Sequence, residues 1–137
     1  MPAFKYREKI EALPDCPASE CREDAREGFR FVFRGRMAES FAPVGSPTSA
    51  FKWGDRERCG GWALSFFSSV ENAEASFRKM QRNSSNIHKK IGDSVASGNL
   101  QHSDGVMSAP EADGHFDLHE YEGTNLVPRF AVVLELV

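Results

Sequence analysis

The stretch GWALSFFSSVENAEASFRKMQR, residues 61 to 82, decides the fold, because it passes from a strand pattern into a capped helix within a few positions. Its first part is apolar and aromatic as far as Phe67, which predicts a buried β-strand. Ser68 and Glu71 stand three residues apart, the spacing of a capping box, in which each side chain satisfies a free amide of the first helical turn. Apolar side chains then recur with the helical period. The sequence therefore predicts a helix over about 69 to 82 that packs on a sheet.

Four further segments have the composition or the alternation of β-strands. They are FRFVFR (29 to 34), DSVASGNL (93 to 100), HFDLHEY (115 to 121) and RFAVVLELV (129 to 137). The first alternates phenylalanine with other residues, which predicts one face in the core, and the second is weakened by Gly98. The last is predicted to place four apolar side chains on one face: Phe130, Val132, Leu134 and Leu136.

The remaining segments are predicted to form short helices and loops. One helix is expected within the first thirteen residues and a second between Pro17 and Gly28. Residues 37 to 58 and 101 to 114 are rich in Pro, Gly and Ser and have no sustained period, which predicts loops. Helices followed by strands with one intervening helix predict a single α+β domain over residues 1 to 137, with a mostly antiparallel sheet of four to five strands.

The charge and the termini indicate which partners and which location to expect. The chain has 17 basic and 20 acidic residues spread along its length, a net charge of -3, so neither nucleic acid nor a membrane is expected as a partner. No segment has the length of a signal peptide's apolar core or approaches the roughly 20 apolar residues that span a bilayer, which predicts a cytoplasmic protein. Unpaired edge strands would make a homodimer possible.

Cysteine spacing predicts reduced thiols. Cys16, Cys21 and Cys59 cannot all pair within one chain, and they form no C-x-x-C unit. A zinc site through cysteine is therefore not expected. Cys59 precedes two glycines and is a candidate nucleophile with a strand histidine as its base, although a packed cysteine is the simpler interpretation.

The segment GHFDLHEYEG, residues 114 to 123, concentrates polar chemistry in ten positions. Side chains alternate along a strand, so His115, Asp117 and His119 are predicted to project from one face, while the phenylalanine and leucine between them enter the core. Imidazole and carboxylate groups are ligands of Zn²⁺ and Fe²⁺, so this face is a candidate metal site. The alternative is the solvent-facing side of a half-buried strand.

Glu120 and Glu122 are candidate catalytic carboxylates at the end of the same strand. An unbroken strand would bury both beside the core at a cost of several kcal/mol each unless they are paired, so the strand is predicted to bend or end near Tyr121. A carboxylate there could act as a general base or an electrostatic stabiliser. The alternative is a pair of exposed turn residues.

Three short motifs follow one another along the chain. Arg34 ends an aromatic strand, SFFSS (65 to 69) carries serines, and EYE, with Glu120 and Glu122, precedes the final strand. This order resembles the arginine, S-T-S and E-x-E order of the ADP-ribosyltransferases. The resemblance implies an enzyme that binds NAD with help from Arg34 and Ser65. It further implies that Glu122 stabilises the oxocarbenium-like transition state as nicotinamide leaves.

The aromatic content favours a binding function over an ADP-ribosyltransferase-like enzyme or a metal-binding protein. Eleven Phe and two Trp exceed the needs of a sheet core of this size, and Trp53 lies in the long loop, where an exposed aromatic side chain would anchor a partner. The favoured prediction is a small cytoplasmic binding or accessory module that takes a protein or small-molecule ligand through a cleft or this loop. No cofactor is specified by that prediction. An ADP-ribosyltransferase-like enzyme and a metal-binding protein remain open.

Overall fold

The computed structural model describes residues 2–51 and 57–137 and shows one antiparallel sheet of six strands. The strands are β1 Arg26–Val32, β2 Leu64–Phe67, β3 Ser94–Leu100, β4 Gly105–Met107, β5 His115–Glu120 and β6 Ala131–Glu135. Their order across the sheet is β4-β5-β2-β1-β3-β6. The predicted α+β class with a mostly antiparallel sheet is confirmed, and the strand count is slightly higher than predicted.

The described part of the chain contains four α-helices, of which one is long. They are α1 Arg7–Glu11, α2 Met37–Ser40, α3 Val70–Asn83 and α4 His88–Ile91. None of them has the length and apolar character needed to cross a bilayer.

Helix α3 is the predicted main helix, but its cap lies one residue later than predicted. The Ser69 hydroxyl accepts a hydrogen bond from the backbone amide of Asn72 at 3.0 Å, which makes Ser69 the N-cap. Ser68 instead accepts from the side-chain amide of Asn72 at 3.2 Å. Two adjacent serines offer the same capping chemistry, so the course of the backbone after β2 decides which one caps the helix.

The sheet consists of two three-stranded halves that meet at a narrow seam. β1 pairs with β3 along all seven of its residues, and β2 pairs with β5 along all four of its residues. Among the described residues, β1 and β2 pair at the single position Phe29↔Phe67. The two strands separate beyond that position, which leaves room for a cavity between the halves.

Two clusters of buried apolar side chains hold the sheet. α3 packs one cluster against the sheet through Ala73 and Phe77, which contact the cluster of Phe67 and Val95. The predicted apolar face of this helix is therefore confirmed, with Val70 and Met80 partly buried at its margin. The other cluster contains the rings and branched side chains of the opposite strand faces: Val32, Leu64, Phe66, Leu100, Phe116 and Leu118.

A register shift changes the predicted faces of β6. Val132 pairs with Ala96, whereas Leu134 pairs with Val95. Ala96 and Val95 are consecutive and point to opposite faces of the sheet, so Val132 and Leu134 do so as well. The prediction that all the apolar residues of this strand share one face is therefore wrong. One extra residue in a strand reverses every side chain that follows it, and composition does not reveal where it sits.

Two further predictions about the chain's course are wrong. Residues 17–28 form no helix in the structure, because Arg22 exchanges backbone hydrogen bonds with Met107 at 2.9 and 2.7 Å and β1 begins at Arg26. Met107 in turn belongs to β4, a three-residue strand inside the predicted loop over 101 to 114. In both places backbone groups are satisfied by a distant strand rather than locally.

The β6 strand forms one edge of the sheet and exposes Val132 and Val133, at 39% and 52% of their surface. An unpaired strand edge can receive a second copy of the chain. The homodimer stays a prediction.

Candidate functional site

A cavity of about 520 Å³ opens where β1 and β2 separate. The strands contribute Phe31, Ser65 and Phe67 to its wall, and α3 contributes Ser76 and Met80. Its volume falls in the range of roughly 300–1,000 Å³ that is typical of small-molecule sites, which are mainly apolar and carry a few placed polar groups. This cavity has that composition.

Arg30 of β1 is buried in the cavity wall, with 4% of its surface exposed. Its Nη1 donates to the carbonyl oxygen of Ser65 at 2.7 Å, and its Nη2 donates to that of Ser40 at 2.8 Å. Its Nε has no hydrogen-bond partner among the described residues. Three aromatic rings lie 5.3 Å from its Cζ: Phe41, Phe51 and Phe66.

The charge of Arg30 is not neutralised at close range. No described carboxylate lies within salt-bridge distance of its guanidinium, and Glu120 and Asp117 act on it only from further away. Burial lowers the pKa of Arg30 to about 10, so the side chain is still a cation at neutral pH. Cation–π contacts and two carbonyl groups offset part of the several kcal/mol that an unpaired buried charge costs. An anion bound beside the guanidinium of Arg30 would offset the rest of this cost.

Sequence reasoning missed Arg30 because it assigned one buried face to β1. The structure buries both faces: Gly28, Arg30 and Val32 are buried, and Phe29 and Phe31 are half-buried against α3. Arg30 alternates in phase with Gly28 and Val32, which is the pattern that could have identified it. A strand with neighbours on both sides and aromatic residues at every second position has little surface left for a charged face.

A chain of polar side chains lies at the cavity rim, where β2 and β5 are paired. His115 Nε2 is 3.1 Å from Ser65 Oγ, and His115 Nδ1 is 3.1 Å from Glu111 Oε1. Asp117 Oδ1 is 3.4 Å from the same serine oxygen and 3.5 Å from Nε2. Burial raises the pKa of Asp117, although His115 and Ser65 oppose the shift. The arrangement can bind a polar group or pass a proton from serine to imidazole.

The residues of the predicted metal site, His115, Asp117 and His119, lie in two separate places in the structure. The alternation itself is confirmed, since Phe116 and Leu118 are fully buried in the core. His115 and Asp117 are neighbours at the cavity rim, whereas His119 Nε2 lies 3.6 Å from Cys59 Sγ. His119 is 3% exposed, and burial lowers the pKa of its imidazole to about 4, so the ring is neutral at pH 7.

Cys59 and Cys16 form a disulfide with their Cα atoms 5.5 Å apart, and Cys21 is free. The prediction of three reduced thiols is therefore wrong. The two partners are 43 positions apart, and spacing alone does not reveal such a pair. Cys59 is consequently no free nucleophile in this structure. Within the described ranges, one group of three potential metal ligands has its ligand atoms within 4.8 Å of one another, namely Cys16, Cys59 and His119.

Glu120 and Glu122 differ in their surroundings. β5 ends at Glu120, as predicted, but Glu120 is buried rather than exposed and pairs with Lys5 Nζ at 2.8 Å. Burial raises the pKa of Glu120 by more than Lys5 lowers it. Glu122 is exposed in the following turn. Glu120 thus attaches the N-terminal segment to the sheet.

The residues named by the ADP-ribosyltransferase resemblance do not meet in this cavity. Arg34 follows β1 and binds Glu135 and Ser94, with Nη1 at 3.2 Å from Oε1 and 3.0 Å from Oγ. Ser65 lines the cavity, but Arg34 and Glu122 do not. Trp53, the predicted partner anchor, lies outside the described residues.

No family model matches the sequence, and no match was found among curated proteins or solved structures. Function has therefore to be inferred from the cavity and its side chains.

Proposed function

We propose that this protein binds a small organic anion in the cavity between β1 and β2, with the anionic group directed toward Arg30. The observation that carries the proposal is the buried guanidinium, which lies in the wall of a cavity of small-molecule size and has no carboxylate within salt-bridge distance among the described residues. This is the cleft-binding function that the aromatic composition favours, with the cleft and the ligand class now named.

The ligand's charge follows from the energetics of Arg30. The folded protein bears the cost of desolvating this cation, and among the described residues each of its two Nη groups uses one of its two protons in a hydrogen bond. A carboxylate, phosphate or sulfonate in the cavity would accept a charge-assisted hydrogen bond from the guanidinium of Arg30. Such a bond is worth about 1.5–3 kcal/mol, which corresponds to at least about tenfold in affinity.

The ligand's body follows from the rest of the lining. Apolar side chains from the strands, the helices and the loop after α2 form most of the wall: Phe31, Phe51, Phe67, Met80 and Ile91. An aromatic ring or short branched chain would bury its surface against them. Ser65 and His115 at the rim can orient a second polar group of the ligand.

The test uses charged and neutral members of the same ligand pair. The fluorescent probe 8-anilinonaphthalene-1-sulfonate is bound to the purified full chain and displaced by 1-naphthoate or by 1-naphthamide. We expect the carboxylate to displace the probe at a concentration at least about tenfold lower than the amide. Equal displacement by the two would refute the role of Arg30.

Substitutions at Ser76 and at Arg30 test the cavity and its charge separately. Ser76→Phe places a ring in the cavity from α3, and Ala75→Phe places the same ring on the exposed side of that helix as the matched control. We expect Ser76→Phe to abolish binding of the fluorescent probe and Ala75→Phe to leave it unchanged. Arg30→Met should remove the preference for the carboxylate, whereas Arg30→Lys should retain part of it. Binding unchanged in Ser76→Phe would place the ligand elsewhere and contradict the proposal.

A second candidate function is acyl-ester hydrolysis, which one observation favours. The Ser65, His115 and Glu111 side chains are connected in the order nucleophile, base and carboxylate, at 3.1 Å for each contact. Ser65 Oγ would attack an ester carbonyl while His115 Nε2 takes its proton and returns it to the departing alcohol, and water would then release the acid. The Glu111 side chain is 70% exposed, so solvent weakens its electrostatic interaction with the imidazole of His115.

A fluorophosphonate probe tests this candidate directly. It should label the chain at Ser65, with labelling lost in Ser65→Ala and retained in Ser68→Ala, whose hydroxyl contacts Asn72 instead. Labelling that persists in Ser65→Ala would exclude this serine as the nucleophile.

A further inference from the structure

A cluster of sulfur and nitrogen ligands lies beside the cavity and takes no part in the proposed ligand binding. We propose that Cys16, Cys59 and His119 form a Zn²⁺ site when the disulfide between the two cysteines is reduced. The metal would replace the covalent bond as the cross-link between the N-terminal segment and the short 3₁₀ helix, Cys59–Trp62, before β2. This proposal is independent of the organic anion and of Arg30.

The distances fit a tetrahedral ion. The Sγ atoms and His119 Nε2 lie within 4.8 Å of one another, and the contact between Nε2 and Cys59 Sγ is 3.6 Å. Zn–S bonds of about 2.3 Å and Zn–N bonds of about 2.0 Å place neighbouring ligand atoms roughly 3.5–3.8 Å apart. The sulfur atoms need to separate to that distance when the bond between them breaks. Cys16 lies in a bend and Cys59 is the first residue of a four-residue 3₁₀ helix, Cys59–Trp62. Neither cysteine is held in a strand, so short backbone segments can absorb the movement.

The chemistry of the three groups also fits. Two thiolates and a neutral imidazole are ordinary zinc ligands, and two thiolates cancel the charge of the ion, which suits a site that is partly buried. His119 is 3% exposed and directs Nε2 toward sulfur, while its Nδ1 has no partner among the described residues. The disulfide sulfur of Cys59 can only accept, so in the oxidised protein this contact favours the proton on Nε2. Because no described group donates to Nδ1, the proton can move to that atom and free Nε2 for the metal.

Solvent can reach the cluster. A second cavity of about 420 Å³ is lined by Leu13, Pro14, Glu57 and Cys59. It gives ions and reductant a path to Cys59. A water molecule would take the fourth position of the metal. The expectation that cysteine takes no part in zinc binding rested on spacing alone, which does not show that residues 43 positions apart meet.

The redox step balances with a phosphine as the reductant. The phosphine donates two electrons to the disulfide and takes an oxygen atom from water, becoming a phosphine oxide, and the two protons of that water yield two thiols. Binding of Zn²⁺ then releases the two thiol protons to solvent. Oxidation by a disulfide reagent would expel the metal and restore the cross-link.

The test follows metal binding by the full chain. Protein reduced with tris(2-carboxyethyl)phosphine is desalted without oxygen and titrated with Co²⁺ and then Zn²⁺. We expect one ion per chain, a sulfur-to-cobalt charge-transfer band, tetrahedral ligand-field bands, and loss of both when zinc displaces cobalt. The oxidised protein should show none of these signals.

Matched variants assign the ligands. His119→Gln and Cys59→Ser should weaken cobalt binding roughly 100-fold or more. His115→Gln and Cys21→Ser, which alter the same residue types outside the cluster, should bind as the wild type does. His119→Gln keeps the disulfide, so it can be folded in the oxidised state before reduction. No cobalt bands in the reduced wild type, or equal loss in His119→Gln and His115→Gln, would overturn the proposal.

Discussion

Removal of the Cys16–Cys59 disulfide is expected to destabilise the fold by an amount that its position in the chain determines. The change is the double variant Cys16→Ser with Cys59→Ser. The cross-link restricts the unfolded chain over a separation of 43 residues, and the chain-entropy relation gives about 4 kcal/mol for a loop of that size. With an unfolding entropy of about 2.1 cal/mol/K for each of 137 residues, this corresponds to a Tm lower by roughly 14 °C.

The measurement is denaturation by guanidinium chloride followed by circular dichroism, with EDTA present so that no metal replaces the cross-link. The dependence of the unfolding free energy on denaturant should also increase, because an unfolded chain without the cross-link exposes more surface. Cys21→Ser is the control and should change stability by less than about 0.5 kcal/mol. Thiol titration of denatured, unreduced wild type should give one thiol per chain. A double variant within about 1 kcal/mol of the wild type would refute the reasoning.

Three further predictions concern pH, packing and helix capping. Because the folded-state pKa of His119 is about 4 against 6.5 in the unfolded chain, the unfolded state binds an extra proton as pH falls between these values, and stability should fall by about 3 kcal/mol. Urea unfolding at a series of pH values checks this, and the loss should be absent in His119→Gln. Gly98→Ala should cost about 1–3 kcal/mol, since the new methyl group would meet a carbonyl oxygen at 2.6 Å. Gly35→Ala would meet no atom of the described residues within 4 Å and should leave the urea midpoint unchanged. Ser69→Ala should cost about 1 kcal/mol in the same assay, and an equal cost in Ser68→Ala would contradict the assignment of the cap.

Part of the candidate site was predictable from local pattern. The alternation in HFDLHEY placed His115 and Asp117 on the face opposite Phe116, and the structure agrees because a strand period of two is a property of the backbone itself. Ser65 was named only through the resemblance to the ADP-ribosyltransferases and not through a local pattern. Arg30, the group that defines the proposed ligand, was not identified, because its burial depends on which elements cover the second face of β1.

By itself the sequence determined the α+β class, the antiparallel sheet, the main helix and the faces of β5, since periods of 2 and 3.6 residues are written in neighbouring side chains. Tertiary structure alone decided the disulfide, the shifted register of β6 and the separation of β1 from β2 that opens the cavity. Each of these depends on the meeting of residues far apart in the chain. The Cys16–Cys59 contact spans 43 positions and cannot be recognised in the local hydrophobic period, because it depends on how the whole core packs.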